Sequence, residues 1–193
     1  TNRAHRGLEL FAQFGPTISA AEFYAIKHDK FYSPATYYVA YLEKIKGQQF
    51  ADSLLQQAQQ VIAQWDLGTD VANTSAALGT CVLLAAERQK DRDTHDAEQV
   101  AELLGECAET LLAAQGRLDP PWGEVNRHVR GEVNVPVGGG PDILRAIYGR
   151  GLKEEGFLTN VAGDGLYYLV AWDTDGQLSV EGVHQFGSAT LDE

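Results

Sequence analysis

One stretch, residues 120–140 with the sequence PPWGEVNRHVRGEVNVPVGGG, separates two different patterns along the chain. Pro120 and Pro121 end the helical pattern before them, because proline has no amide hydrogen and its ring clashes with the preceding helical turn. The glycine triplet 138–140 then gives the backbone a freedom that residues with a Cβ lack. We therefore predict a Gly/Pro-rich loop that divides a helical part, residues 1–119, from a part with β structure, residues 120–193.

The part before this loop is predicted to be mostly helical. Apolar residues recur at helical intervals over residues 2–14, 34–47, 49–65, 73–89 and 94–115. Another short helix is expected to begin at Ser19, which together with Glu22 forms a capping-box pattern. Thr94 is a candidate cap for the last helix, and Gly116 is a candidate stop at its C-terminus.

The pattern changes after the loop. Residues 141–148 are predicted to form a short helix or turn, and Leu166–Trp172 form an apolar β run. The residues 173–176, Asp-Thr-Asp-Gly, signal a hairpin, with residues 177–186 as the returning strand. The predicted fold class is α+β, with helices first and strands late.

Acidic residues outnumber basic ones, 27 to 15, and the formal net charge is −12. This balance disfavours nucleic acid and anionic membranes as partners, because phosphate contacts need clustered lysine and arginine. No stretch has the roughly 20 consecutive apolar residues that a membrane-spanning helix needs. The chain contains no methionine. It begins inside a helical pattern and ends just after a strand-like run, so we expect it to be a piece of a longer polypeptide.

The two cysteines, Cys81 and Cys107, lie in successive helical patterns and at similar heights if the helices form a hairpin. One interpretation is a pair of buried thiols that pack as small apolar side chains. The other is a disulfide, which would fit an oxidising compartment. A metal site at these cysteines is not favoured, because no histidine lies at ligand spacing from either one.

Few residues have the spacing that catalysis or metal binding requires. Thr1 could act as an N-terminal nucleophile, but a helical pattern follows it where such a nucleophile would begin a core strand. None of the five histidines has a partner at the spacing of a helical zinc site. His128 is interpreted as a loop residue and His184 as a structural strand residue. Ser188 lacks the second glycine of a nucleophile elbow.

The other motifs also favour structure over chemistry. The glycine triplet follows Pro136 and Val137 and has neither the helix of a dinucleotide site nor the lysine of a phosphate loop. Asp173 and Asp175 lack the further oxygens that calcium needs, so we interpret them as turn residues. No cofactor and no metal are predicted.

Three sequence runs stand out together: Trp-Gly-Glu-Val-Asn-Arg at 122–127, Pro-Val-Gly-Gly-Gly-Pro-Asp at 136–142 and His-Gln-Phe-Gly-Ser-Ala-Thr at 184–190. These runs resemble the β-subunit of penicillin-acylase-like N-terminal nucleophile hydrolases, with the greatest similarity to the acyl-homoserine-lactone acylase branch. Asn2, Arg3 and Arg6 resemble an arginine-rich helix start of the same family. The similarity runs in order along most of the chain.

This resemblance implies a fragment of an amide hydrolase with a four-layer αββα sandwich. In such enzymes a precursor cleaves itself, and the freed N-terminal serine of the β-subunit attacks the amide. That serine lies outside this chain, so the isolated chain is expected to be inactive. Arg3 is the candidate residue that supports the catalytic cluster, and the loop at 122–140 is expected to be scaffold or a wall near the α-subunit.

The resemblance also implies partners and location. The partners would be the α-subunit and the remaining β-subunit of the same precursor, and the substrate an acyl-homoserine lactone or a penicillin-type acyl amide. The protein would be periplasmic or secreted. The alternative is a non-catalytic helical module that binds a protein partner through exposed apolar surface.

Overall fold

The computed structural model describes residues 1–89 and 91–184, which form eight α-helices, a short 3-10 helix and six strands. The helices are α1 (Asn2–Phe11), α2 (Ala20–Lys27), α3 (Tyr37–Lys46), α4 (Ser53–Gln64), α5 (Ala76–Glu87), α6 (Ala97–Gln115), α7 (Trp122–Val125) and α8 (Leu152–Glu155), with the 3-10 helix at Arg92–Thr94. The strands are β1 (Asn126–Arg130), β2 (Val133–Pro136), β3 (Ile147–Arg150), β4 (Leu158–Gly163), β5 (Leu166–Trp172) and β6 (Leu178–His184). The chain is a mixed α+β protein.

Helices α3 to α6 enclose the main hydrophobic core. α5 lies at its centre, since most of its residues are buried. α6 contributes an apolar stripe at the spacing of one helical face: Val100, Leu103, Leu104, Cys107, Ala108 and Leu111. Gly79 on α5 makes room for Trp65, because a Cβ at this position would come within 2.3 Å of the indole ring. The core therefore depends on one aromatic side chain lying directly against one glycine.

A disulfide joins α5 to α6. Cys81 on α5 is bonded to Cys107 on α6, and their Cα atoms are 5.9 Å apart. The structure thus decides between the two interpretations that the sequence left open, and the interpretation as two buried thiols is wrong. The helical hairpin brings the two cysteines to the same height, which the chain spacing alone allowed but did not require.

The four-stranded sheet has the order β2-β1-β4-β3. β1 and β4 run parallel, whereas β1–β2 and β3–β4 are antiparallel. β1 and β2 form a hairpin around Gly131, which has a positive φ of 53°. This sheet extends from the side of the helical core where α7 and α8 lie.

The second sheet is a hairpin of β5 and β6 that turns at residues 173–176. Its inner face lies on α2. His28 Nε2 and the Tyr167 hydroxyl are 2.7 Å apart, and the Lys27 ammonium lies 4.5 Å from the centre of the Tyr167 ring. The Tyr24 hydroxyl also donates to the Glu181 carboxylate.

Several expectations from the sequence are confirmed. Ser19 and Glu22 form the capping box, Gly116 ends α6 in the left-handed conformation, and the late hairpin has the expected turn. The α+β class is also confirmed. The returning strand is described as far as His184, and the rest of its expected range, together with Ser188, lies outside the described residues.

Other expectations are corrected. Segment 120–140 is not simply a loop, because it contains α7, β1 and β2, and His128 therefore lies on a strand. The third helix begins at Tyr37, and Asp96 rather than Thr94 caps α6 through its carboxylate. Residues 141–148 form a turn that continues into β3 rather than a helix.

Candidate functional site around Arg3

The start of α1 is anchored on a residue far away in sequence, Asp142. The Asn2 main-chain N–H donates to Asp142 Oδ2 at 2.8 Å, and the Asn2 side-chain amide donates to the Asp142 carbonyl at 2.8 Å. The Asn2 carbonyl oxygen Oδ1 in turn accepts from the Ser33 N–H at 2.8 Å. Asn2 is fully buried, so these bonds are what makes its burial tolerable.

Asp142 takes the place of a local helix cap. Thr1 precedes α1 but its side chain makes no capping bond. The first N–H groups of a helix have no partner within the helix, and the helix dipole favours a negative charge there. The Asp142 carboxylate, from another part of the fold, accepts from one of these groups, the Asn2 N–H, and supplies the negative charge.

The same carboxylate holds Arg3. Arg3 Nε lies 3.2 Å from Asp142 Oδ1, and the Tyr38 hydroxyl donates to Asp142 Oδ2 at 3.4 Å. Arg3 remains 47% exposed in its side chain, whereas the Asp142 side chain is 11% exposed. No hydrogen bond to another described residue occupies the terminal Nη groups of Arg3, so these groups are available to donate to an oxygen atom in front of them.

A tight loop positions Asp142. Gly139 has a φ of 103°, and a Cβ there would come within 2.5 Å of the Arg145 carbonyl oxygen. Gly140 donates its N–H to that same oxygen at 3.2 Å, and Ile147 donates back to Gly140 O at 3.0 Å. Asp142 itself has a positive φ of 52°, which is uncommon for a residue other than glycine. The glycine triplet thus has a structural role here: it lets the loop close so that Asp142 reaches α1.

Arg3 faces an open cleft that contains both signs of charge. The cleft is lined by Thr1, Arg3, Tyr37, Glu87, Arg92, Pro141, Asp142 and Tyr148. The Arg92 guanidinium stacks 3.9 Å from the centre of the Tyr37 ring, and the Tyr37 hydroxyl donates to Glu87 at 3.1 Å. We call this feature the Arg3 cleft.

The tyrosines near Asp142 are hydrogen-bond donors rather than bases. Burial raises the pKa of the Tyr32 and Tyr38 hydroxyls well above their ordinary value, and it also raises the pKa of Tyr37. A buried phenol resists ionisation because the phenolate would lose its hydration. These groups therefore stay protonated at neutral pH, and Tyr38 and Tyr37 donate to the carboxylates of Asp142 and Glu87.

A second ion pair fixes the other side of α1. Arg6 forms a two-point contact with Asp29, with Nε to Oδ1 at 2.9 Å and Nη2 to Oδ2 at 2.8 Å. The carboxylate of Asp29 raises the pKa of Arg6. The Asp29 carbonyl also accepts from the Arg145 N–H at 3.1 Å. Both arginines at the start of α1 are thus held by aspartates that come from different segments.

The structure brings together only part of what the sequence singled out. Arg3 and Thr1 both line the Arg3 cleft, and Thr1 precedes a helix, as the sequence pattern predicts. His184 lies on β6, and Asp173 accepts from two backbone N–H groups within its turn. Within residues 1–89 and 91–184, no group of three or more His, Cys, Asp or Glu side chains could hold a metal ion.

Sequence reasoning missed Asp142 as the partner of Arg3. Its signal was the Gly-Gly-Gly-Pro-Asp run, in which an acidic residue follows a segment suited to a sharp turn. That run marks a constrained position, but Arg3 lies 139 positions away in the sequence.

A second surface feature is the outer face of the β5–β6 hairpin. Strand pairing places Val170 opposite Val180 and Trp172 opposite Leu178, and Tyr168 lies across Gly182. All the apolar side chains of this face are exposed: Leu166, Tyr168, Val170, Trp172, Leu178 and Val180. Tyr168 and Trp172 are the most exposed, at 61% and 67%. We call this surface the apolar hairpin face.

Comparison with protein-family models gives no match, and comparison with curated proteins gives none either. The fold and the site define the class of the protein: a mixed α+β chain with a disulfide-linked helical core and an arginine held at the mouth of a cleft. Among the described residues, no helix has the length and apolar character needed to cross a bilayer.

Proposed function

We propose that this chain is the later part of the β-subunit of a self-processing amide hydrolase similar to penicillin acylases. The full enzyme would cleave an acyl-homoserine lactone or a penicillin-type acyl amide. The observation that carries the proposal is the Asn2–Arg3–Asp142 cluster, because it orients an arginine toward an open cleft at the position where the sequence resembles the family. In this proposal Arg3 supports the reacting groups, and the nucleophilic serine comes from the preceding part of the precursor.

The apolar hairpin face supports the partner part of the proposal. A two-stranded hairpin is at best marginally stable in water, and this one exposes a continuous row of large apolar side chains. Monomeric proteins rarely leave such a patch open unless it is an interaction site. We propose that the remaining β-subunit or the α-subunit packs on this face, so that the hairpin joins the layers of an αββα sandwich.

The disulfide supports a periplasmic or secreted location. Disulfides form and persist where the environment is oxidising, and Cys81–Cys107 joins two core helices. The proposed location and the proposed enzyme class are consistent with each other.

The main experiment uses the complete reading frame that encodes this chain. Expression into the periplasm should give a cleaved precursor whose β-subunit begins with serine, as measured by mass spectrometry. The mature enzyme should release fatty acid from an acyl-homoserine lactone or the side chain from a penicillin, and the 193-residue chain alone should release neither. Amide cleavage by the isolated chain would contradict the proposal, as would an uncleaved reading frame without an upstream serine.

Arg3 gives a sharper test within the same enzyme. Arg3→Ala should lower kcat by roughly 10²-fold, the size expected when one donor to a developing charge is removed. Arg117→Ala is the matched control, because Arg117 is also an exposed arginine paired with an aspartate, and it lies outside the Arg3 cleft. Equal activity of both variants would remove Arg3 from the proposed site.

A second candidate function is a non-catalytic protein-interaction module, which the apolar hairpin face also favours. The pair Val170→Lys/Val180→Glu puts charges on this face. The control Ala171→Lys/Ser179→Glu puts the same charges on the adjacent pair of the inner face, where both residues are exposed near the hairpin turn. If the hairpin packs within a larger enzyme, the first pair should stop assembly of the mature subunits and the second should not. If the protein is instead an interaction module, Val170→Lys/Val180→Glu should leave the precursor assembled and remove binding of a separate protein.

A further inference from the structure

A cavity of about 410 Å³ adjoins the Arg3 cleft at Pro141 and Tyr148. This volume lies in the range of small-molecule sites. Its walls are mainly apolar and come from α5, α7, β3 and α8: Ala77, Leu84, Ala85, Val125, Ile147 and Leu152. Gly149 and Gly151, at the end of β3, also line it.

Three polar side chains of the wall, Thr80, Asn126 and Tyr148, are already engaged inside the protein; the Tyr148 hydroxyl accepts from the Asp142 N–H at 3.2 Å. Asn126 donates its amide to the carbonyls of Val137 and Gly139, at 2.8 and 3.3 Å. The Thr80 hydroxyl donates to the Ala76 carbonyl of its own helix at 2.7 Å. Because these groups are satisfied, the inner part of the cavity presents an apolar environment.

The opening of the cavity is basic. Arg88, Arg150 and Lys153 line it and are exposed, and none of their side chains makes an ion pair or hydrogen bond with another described residue. Glu154 is the acidic residue among the lining groups. Glu155, its neighbour on α8, accepts from the Thr159 hydroxyl at 2.8 Å. Three cations at one opening, none of them paired within residues 1–89 and 91–184, are unexpected in a chain with a net charge of −12.

We propose that this cavity binds a medium-chain monocarboxylate, that is, one carboxylate on an unbranched alkyl chain. The alkyl chain would lie against the apolar wall, where burial supplies most of the affinity. The carboxylate would stay at the opening beside Arg88, Arg150 and Lys153, whose charges select an anion over a neutral or cationic head group. This inference does not depend on the amide-hydrolase proposal.

The test is calorimetric titration of the 193-residue chain with decanoate, decanol and decyltrimethylammonium at low salt and below their aggregation concentrations. Decanoate should bind saturably with one site, decanol about tenfold more weakly, and the cation no better than decanol. Saturable binding of all three with equal affinity would overturn the proposal, since it would show an apolar site without head-group selection. Absence of saturable decanoate binding would overturn it as well, and would leave the cavity as a place where another polypeptide segment packs.

Two variant pairs locate the site. Arg88→Gln/Arg150→Gln should weaken the affinity for decanoate about fivefold and leave the affinity for decanol unchanged. The control Lys46→Gln/Arg117→Gln removes the same charge elsewhere and should change neither affinity. Ala85→Phe fills the cavity and should remove binding of both ligands, whereas Ala113→Phe, on the exposed side of α6, should not. The charge variants alter exposed residues, so they keep the test valid if Ala85→Phe fails to fold. Equal decanoate affinity in the charge variant and its control would contradict the assigned opening.

Discussion

The main-chain N–H of Asn2 donates to the carboxylate of Asp142 across 2.8 Å of space and 140 positions of sequence. This single bond connects the first turn of a helix to the loop after the glycine triplet. The same carboxylate also accepts from Arg3 and Tyr38. The geometry of the Arg3 cleft therefore depends on where one loop places one aspartate.

Asp142→Asn should destabilise the protein by about 2 kcal/mol, because hydrogen bonds to a charged group contribute more than neutral ones and one amide atom would present a hydrogen to the N–H of Asn2. Urea unfolding measures this change. Asp175→Asn is the control, since the Asp175 side chain makes no hydrogen bond with a described residue, and its unfolding midpoint should match the wild type. Identical midpoints for the two variants would contradict the capping role of Asp142.

The turn before Asp142 gives an independent prediction. Gly139→Ala should lower the free energy of unfolding by about 1–3 kcal/mol, because alanine is strained at a φ of 103° and its Cβ would contact the Arg145 carbonyl. Gly15→Ala is the matched control, because a Cβ there would have no heavy atom within 4 Å and its φ is not in the positive range. Thermal unfolding of both variants decides the point, and a Gly139→Ala protein as stable as Gly15→Ala would show that the loop closes differently.

The Cys81–Cys107 disulfide should add about 3.5 kcal/mol to the free energy of unfolding, which is the chain-entropy value for a loop of 26 residues. The double variant Cys81→Ala/Cys107→Ala should show this loss in urea unfolding under oxidising conditions. Adding a reductant should destabilise the wild type toward the double variant and leave the double variant unchanged. A wild type indifferent to the reductant would argue that the two sulfurs are not bonded in solution.

The capping box of α2 predicts a pH dependence. The Ser19 hydroxyl and main-chain N–H donate to Glu22 and hold the pKa of its carboxyl below the ordinary value. A depressed folded-state pKa stabilises the protein above the unfolded-state pKa of about 4.3, and this contribution is lost as the pH falls through the folded-state pKa. The difference in the free energy of unfolding between wild type and Ser19→Ala should therefore decrease as the pH falls from the unfolded-state pKa of Glu22 through its folded-state pKa. Urea unfolding at a series of pH values measures this difference.

Glu22→Gln supplies the control for this titration, since glutamine keeps a hydrogen-bonding side chain but does not ionise. In that background the effect of Ser19→Ala should not vary over the same pH range. A difference that decreases equally in both backgrounds would assign the pH dependence to other carboxylates.

The sequence alone determined the features that depend on neighbours along the chain. The capping box at Ser19 and Glu22, the left-handed stop at Gly116 and the hairpin turn at 173–176 all arise from contacts within a few residues, so their signals are local. The choice of Thr94 over Asp96 as a cap failed because two suitable side chains lie two positions apart and only the backbone path selects one.

Only the tertiary structure decided the rest. Strands β1, β2 and β3 have four or five residues each, too few for a periodic signal, and the pairing of β1 with β4 joins residues as distant in sequence as Asn126 and Leu158. The pairing of Cys81 with Cys107 and the bond from Asn2 to Asp142 join positions 26 and 140 residues apart. Contacts of this kind have no local signal, because the residues next to each partner in the sequence do not show which distant residue folding will bring beside it.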